Sequence, residues 1–505
     1  MPHSDTTSTT DIADRYDVVV VGGGNAAFSA AHAAREAGAS VAVLEKAAEE
    51  EAGGNSYYTA GAFRLAHDGL EDLRTLVDDP GDARLDATDL PAYPAASFVA
   101  DMERVTGGRN DPGMTRVMAQ DSRDTVGWLA AKGVRWELLY PRQTYRDGDR
   151  WVFFGGLALG TVDGGKGLVA QHTGAARDAG VAIHYGVAVV DLVRDGDAVT
   201  GVVVETGGRR RRIAAGAVVL AAGGFESNAD LRRRHLGEGW ERALVRGTPS
   251  NTGEVLEAAL AHGAAAHGDW GSCHSVQWDA EAPARGGERE LTNGLTRQSY
   301  PVGIVVNRDG ERFIDEGADY RNFTYAKYGR EVLRQPGGRA FQIFDSRTRP
   351  LLRVHEYDGG GVTGAVADTL EGLAEELGID PTGLAGTVKQ FNTSIEGPEF
   401  NPAVKDGRTA RVDPPKSNWA AEIGAPPYYG YAVACGITFT FGGLRIDPET
   451  AAVLDGSAAA VPGLYAAGEI AGGLFSGNYP GGSGLIAGAV FGRRAGASAA
   501  GARRG

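Results

Sequence analysis

The chain has two cysteines in 505 residues. Cys273 and Cys435 cannot make a CxxC pair, a haem attachment site or an iron–sulfur cluster, and their scarcity fits a reduced, cytoplasmic protein. No stretch carries the uninterrupted apolar length of a membrane span, and the polar first residues lack the apolar centre of a signal peptide or anchor. Positive charge is also short. Lys and Arg total 50 against 65 Asp and Glu, a net charge of −15, which excludes a nucleic-acid partner. The basic run Arg209 to Arg212 follows Gly207-Gly208 and is expected on an exposed hairpin. No cluster of histidines and acids has metal spacing, so no metal is expected. Glycine, by contrast, is abundant at 76 residues and often paired, as in Gly53-Gly54, Gly223-Gly224 and Gly481-Gly482. Such pairs suit a backbone that wraps closely around an extended ligand.

Residues 17 to 45 organise the rest. Asp17-Val-Val-Val-Val21 is a buried strand by length and composition. It runs into Gly22-Gly-Gly-Asn-Ala-Ala27, an Ala-rich helix, the stop at Gly38, a second strand Ser40–Leu44 and the acid Glu45. Strand, glycine turn, helix, strand and acid at this spacing form a dinucleotide-binding fingerprint, with Ala27 in the third glycine position. Gly22 permits the tight turn, Gly24 lets backbone approach a pyrophosphate, and the helix N-terminus offers free N–H donors. Glu45 is placed to accept the hydroxyls of an adenosine ribose.

Further along, residues 68 to 95 are acidic and Pro-rich, a predicted surface excursion. Helical periodicity covers Ala95–Val105 and Pro112–Lys132. Strands are expected near Val181–Tyr185 and Val199–Val204. Ala217–Phe225 is another buried strand ending in a glycine pair, and Gly463-Leu-Tyr-Ala-Ala-Gly-Glu469 repeats that design near the C-terminus. Nucleotide-type strands therefore lie at both ends, around a middle rich in Arg, Tyr, Asn and Trp. The expected architecture is α/β: a Rossmann-like cofactor domain formed by both chain ends (16–272 and 438–505), an inserted α+β capping domain (273–437), and a disordered tail over 1–15.

Gly22–Glu45, Gly53-Gly-Asn-Ser56, Ala221-Ala-Gly-Gly224, Thr252-Gly-Glu254, Gly468-Glu469 and Gly482-Ser-Gly-Leu485 together resemble the fumarate reductase/succinate dehydrogenase flavoprotein superfamily over nearly the whole chain. The resemblance implies FAD as cofactor, with Glu45 on the ribose. Asn55, Ser56, Ala60 and Gly61 would lie around the pyrophosphate and flavin, Glu254 and Glu469 would contact the cofactor, and Gly484-Leu485 would sit at a helix N-terminus under the pyrimidine ring. Asn25, Ala26, Lys46, Gly54, Val189, Ala222, Gly223 and Ser483 complete the expected contacts. Relatives that attach FAD covalently use a histidine near the Gly-Gly-Asn segment. Ser56, Tyr57 and Tyr58 stand there here, so non-covalent FAD is implied.

At the substrate end the chain departs from fumarate reductases. Arg321, in Asp319-Tyr-Arg-Asn322, matches the arginine that serves that family as proton donor. Its substrate-binding histidines fall on Phe439 and Asp279, and its clamping arginine on Tyr479. Asn478-Tyr-Pro-Gly-Gly-Ser-Gly-Leu485 and Asp315–Asn322 look instead like tricarballylate dehydrogenases, which use FAD to oxidise a tricarboxylate to cis-aconitate. The implied reaction is α,β-dehydrogenation beside a carboxylate. Arg321 is expected to move the proton, or to hold a carboxylate while Tyr479 or Tyr320 does so. Arg297 and His274 are the candidates to supply the charge missing at Phe439 and Tyr479, with a structural hydrogen-bonding role as the alternative for His274 beside Cys273. Reduced flavin would pass its electrons to a separate acceptor: a quinone, a redox protein or oxygen. The competing readings are a 3-ketosteroid Δ1-dehydrogenase, to which the polar segment 285–330 is ill suited, a dehydrogenase for another carboxylic acid in specialised metabolism, and a non-catalytic flavin-binding protein.

Overall fold

The structure, a computed structural model, describes residues 12–502. Most of the predicted tail, residues 1–11, lies outside the described residues. Ile12 is already buried against the main core, and the first strand, β1, spans Arg15–Val21.

Val18 to Val21 are buried on both faces, as a strand in the middle of a parallel sheet must be. β2 (Val41–Leu44) pairs in parallel with β1, and β3 (Ala182–His184) in parallel with β2. β4 (Ala188–Asp195), β5 (Ala198–Thr206) and β6 (Arg209–Leu220) form an antiparallel meander whose last strand returns alongside β1, giving the spatial order β4-β5-β6-β1-β2-β3. Gly207 and Gly208 turn the β5–β6 hairpin with positive φ, and Arg209, Arg210 and Arg212 are exposed there. The helix after β1, α1 (Asn25–Glu36), buries a face of alanines with Phe28 and Ser29. α2 (Gly164–Asp178) leads into β3.

The helical periodicity of the next segment is realised as Ala95–Thr106 and Pro112–Ala131. Asp111 caps the second by accepting from Met114 N at 2.9 Å. The excursion between 68 and 95 is not wholly a surface feature, because Leu73, Leu85, Leu90 and Tyr93 carry it into the core.

A second sheet has six strands: β7 (Leu244–Val245), β8 (Cys273–Asp279), β9 (Ile304–Val306), β10 (Arg339–Asp345), β11 (Gly364–Ala367) and β12 (Tyr428–Thr440). All but β9 pair directly with the long β12. This sheet reaches outside residues 273–437 at both ends, since Leu244 and Val245 lie opposite Gly436 and Ile437 and β12 runs to Thr440. α3 (Tyr325–Leu333) crosses β8, and a Cβ at Gly329 would sit 2.6 Å from Val276 N.

The chain then returns to the first sheet. β13 (Ala452–Leu454) pairs with β14 (Ala460–Ala466), which lies parallel to β6 through Val218 and Leu464. The final helix, α4 (Ser483–Gly501), packs along α1. Gly492 and Gly496 make that approach possible, because a Cβ at either would collide with the carbonyls of Ala26 or Ala30.

Candidate active site

One cavity of ≈ 280 Å³ runs from the glycine turn after β1 to the N-terminus of α4 and on between the two sheets. Its first wall is nearly free of side chains. Gly22 has φ +109°, and a Cβ at Gly23 would stand 2.7 Å from Glu45 Oε2. α1 begins at Gly24 with no side-chain cap and no acid in its first turn, so its N–H groups are open to an anion. Asn25 N donates to Ser56 Oγ at 3.0 Å. Glu45 is buried, accepts from Ala47 N at 2.8 Å, and is pushed above the usual carboxylate range by that burial. Val189, Lys46 and Glu254 lie at the same end, with Lys46 and Glu254 paired at 2.9 Å.

The middle of the cavity is polar. Asn55 Nδ2 donates to Glu226 Oε1 and to the Thr438 carbonyl, each at 2.7 Å, and Asn251 Nδ2 also donates to Glu226 Oε1 at 2.7 Å. Glu469 Oε1 accepts from Thr440 N at 2.8 Å. Glu226 Oε2 has no donor among the described residues, and the neighbouring Glu469 carboxyl supplies one when protonated. Burial, with the charge of Glu226 beside it, pushes Glu469 well above the usual carboxylate range.

At the far end, α4 starts at Gly482 (φ +83°), again with no side-chain cap and no acid in its first turn. The two helix N-termini are tied together, because Asn25 Nδ2 donates to the Leu485 carbonyl at 2.7 Å. Tyr479 Oη accepts from Gly484 N at 3.0 Å. Tyr479 belongs to an aromatic cluster with Phe475, Phe439, His274 and Tyr325, ring centroids 4.9–6.2 Å apart. Facing it is a wall of arginines. Arg321 Nη1 donates to Gln298 Oε1 at 3.2 Å, and its Nη2 to the Arg142 carbonyl. Arg353 Nη1 donates to the same Gln298 oxygen at 2.8 Å and pairs with Glu356, which Arg142 also approaches. Arg246 bonds Thr438 Oγ1 at 3.0 Å and Asn293 Oδ1. Burial pulls Arg321 down to about 10, and lowers Arg142 and Arg246 as well. Of these four guanidinium groups, Arg142 and Arg353 pair with the carboxylate of Glu356, while Arg246 and Arg321 bond neutral acceptors.

Of the residues expected at the site, Gly22, Gly24, Asn25, Ala26, Glu45, Lys46, Gly54, Asn55, Ser56, Ala60, Val189, Ala222, Gly223, Glu254, Gly468, Glu469, Gly484 and Leu485 line the cavity, as do Arg321, Tyr479, His274 and Phe439. Ala27, Gly61 and Ser483 do not. Ala27 is buried in α1, Gly61 packs against Thr161 and Gly164, and Ser483 is buried at the start of α4. Three substrate-end expectations are corrected. Tyr320 turns away from the cavity and stacks on Phe154 at 5.3 Å, beside Trp419. Arg297 and Asp279 are spent on each other in a fully buried ion pair of 2.7 Å behind β8, so neither reaches a substrate. His274 is in the cavity, but burial and Arg246 hold it neutral, so it supplies no charge. It is the register partner of Phe439 on the adjacent strand, and its imidazole lies stacked on that ring at 4.9 Å. The cations sequence reasoning missed are Arg142, Arg246 and Arg353. Arg142 lies in the short helix Tyr140–Gln143, and Arg246 and Arg353 in separate loops, with no spacing to join them.

The chain matches the FAD binding domain family (FAD_binding_2) over residues 17–486. It belongs to that family. It is 31% identical over 409 residues to the probable fumarate reductase Ifc3 of Shewanella frigidimarina, covering 79% of this chain and 63% of the relative. To the 4-oxocyclohex-2-ene-1-carboxylate 5-dehydrogenase of Sinomonas cyclohexanicum it is 32% identical over 365 residues, covering 66% and 59%. The chain spans less than two thirds of either relative's length. Among solved structures, the open conformation of a flavocytochrome c3 fumarate reductase superposes with a TM-score of 0.73 at 27% identity, covering 98% of this chain and 79% of that one. The fold is therefore the α/β fold of the fumarate reductase flavoproteins, and FAD is the cofactor. The residues fit it: one extended cavity joins two acid-free helix N-termini across a floor of glycines.

Proposed function

We propose that the protein is a dehydrogenase that desaturates a small polycarboxylate between two adjacent carbons, with tricarballylate to cis-aconitate as the leading reaction. Bound FAD supplies the acceptor for the substrate hydride. The observation that carries this reading is the arginine wall. Arg142, Arg246 and Arg321 line the cavity and Arg353 stands behind them, and among the described residues Glu356 is the carboxylate that pairs with Arg142 and Arg353. Such a surplus, held out of water, favours a ligand with several carboxylates, and guanidinium groups bind carboxylates in forked pairs.

Arg321 is the group assigned to the proton. Burial has brought it to about 10, closer to a useful base than a free guanidinium, and neighbouring cations favour its neutral form. Tyr479 Oη accepts from Gly484 N at the start of α4, which leaves its own O–H to donate to a substrate oxygen on which negative charge develops as the proton leaves. Arg321 and Tyr479 are both buried, which keeps water away from the reacting groups. Electrons then pass to a separate acceptor such as a quinone or a redox protein.

Anaerobic bleaching of the bound flavin by tricarballylate, succinate and a 3-ketosteroid, supplied separately, tests this reading. Tricarballylate should bleach it, and Arg321→Ala should slow bleaching by about 10²–10⁴-fold while FAD stays bound. Bleaching by the steroid alone would overturn the substrate class. A second reading, a cyclic enone or oxo-acid as substrate, is favoured by the aromatic cluster of His274, Tyr325, Phe439, Phe475 and Tyr479, whose faces suit a flat ring.

A further inference from the structure

Arg64 is fully buried, and no step above uses it. A guanidinium removed from water is costly unless a carboxylate and a full set of acceptors replace the solvent. Arg64 has neither. Asp101 stands 3.8 Å from Nη1, but that carboxylate already accepts from Tyr93 Oη at 2.8 Å and from Arg104 at 2.9 Å. Arg64 Nη2 has no partner among the described residues. Aromatic faces surround the rest, Phe323 at 4.9 Å and Tyr93 at 5.4 Å from the guanidinium carbon.

Arg64 Nη1 donates to Tyr93 Oη at 2.9 Å, and the other hydrogen bonds of Arg64 converge on one place. Nε donates to the Gly481 carbonyl at 2.9 Å, and the Arg64 backbone N–H donates to the Gly482 carbonyl at 3.1 Å. Nη1 donates to the Gly155 carbonyl at 2.9 Å, which also accepts from Asn322 Nδ2 at 3.0 Å. Asn322, next to Arg321, returns its own carbonyl to Gly481 N at 2.7 Å. Gly481 and Gly482 form the turn between Tyr479 and the first N–H groups of α4, and both line the cavity.

We propose that Arg64 is a positioning residue that sets the glycine turn 481–482 and places a permanent positive charge behind the N-terminus of α4, so that negative charge arriving in the cavity, on the reduced flavin or on a substrate oxygen, is stabilised from beneath. Helix N-termini alone stabilise anions modestly; an unscreened guanidinium held at the same end adds to that field without reorganising. The electrostatic reach of Arg64 to Tyr479 and Tyr325, whose phenol pKa values it pulls down against the larger effect of their burial, is consistent with this. The stabilisation of a substrate oxygen rests on the function proposed above, but that of reduced FAD does not.

The test is the midpoint potential of the FAD in the purified holoprotein, measured anaerobically without substrate. Arg64→Met keeps the volume and removes the charge. It should make reduction about tenfold less favourable, which for a two-electron couple lowers the potential by about 30 mV. Arg64→Lys should restore most of that loss. Asp101→Asn removes the one nearby carboxylate from the more exposed side and should move the potential upward. A wild-type potential in Arg64→Met, or equal shifts in the Met and Lys variants, would reduce Arg64 to packing. If Arg64→Met does not fold, an Asp101→Asn protein with unchanged potential overturns the proposal by itself. A shifted potential with no bleaching by any polycarboxylate would leave Arg64 in this role and refute only the substrate reading.

Discussion

At the scale of single residues, two titrations carry the chemistry. Dehydrogenation needs a neutral base, so with Arg321 near 10 its kcat/KM should rise about tenfold per pH unit from neutrality and level off near that value. A profile flat from pH 7 to 9 would remove Arg321 from the proton step and leave Tyr479. The acids Glu226 and Glu469 behave oppositely. Glu469 is held protonated in the fold and ionises on unfolding, so its contribution is greatest at low pH and declines as pH rises above the usual carboxylate value. Glu226→Gln keeps the acceptor for Asn55 and Asn251 and adds a donor toward Glu469. The variant should gain stability over wild type as pH goes from 5 to 8, in paired urea titrations. These residues differ in how far the sequence reveals them. Glu469 is attached to a motif and is legible. Glu226 and the arginines at 142, 246 and 353 are brought together only by the folded backbone, so nothing in their spacing marks them. Arg297, expected at the substrate end, is instead paired with Asp279, a partner 18 positions away that spacing does not reveal.

At the scale of elements, the cofactor cradle depends on how closely α1 and α4 lie. Gly488, Gly492 and Gly496 recur every four residues and face Ala26, Ser29 and Ala30. Gly496→Ala would press a methyl group into the Ala30 carbonyl, and overpacking of this kind costs about 1–3 kcal/mol. Because the same helices carry the two anion-facing N-termini, the variant should also release FAD at lower urea than wild type, followed by flavin fluorescence. Stability loss with unchanged FAD release would uncouple packing from the cradle. The glycine turn, the flanking strands and α1 are legible in composition and glycine placement, and the N-terminus of α4 through the family resemblance of Gly482-Ser-Gly-Leu485. The short strand Leu244–Val245 was not, since two residues carry no period and its existence depends on Gly436 and Ile437 lying beside it.

At the scale of the whole molecule, buried imidazoles set the response to acid. Burial lowers His32 and His67 to about 4 and holds His172 and His274 well below 6.5. Each is neutral in the fold and takes up a proton on unfolding below its ordinary value. Their contribution is therefore fully present above pH 6.5 and is lost as pH falls toward 4. The urea midpoint of the holoprotein should drop steadily between pH 6.5 and 4.5, and a midpoint unchanged over that interval would mean these rings are hydrated. Among the described residues no helix is long and apolar enough to cross a membrane.

The hydrogen bond from Asn25 to the Leu485 carbonyl spans 460 positions. A ribosome adds about 5–20 residues per second, so the glycine turn emerges on the order of a minute before the helix that completes its cradle. Through that interval the nascent chain presents half of a nucleotide site. Tight loading with cofactor is therefore expected to wait for α4, and a chain interrupted before Ser483 should bind FAD more weakly than the full chain in a fluorescence titration.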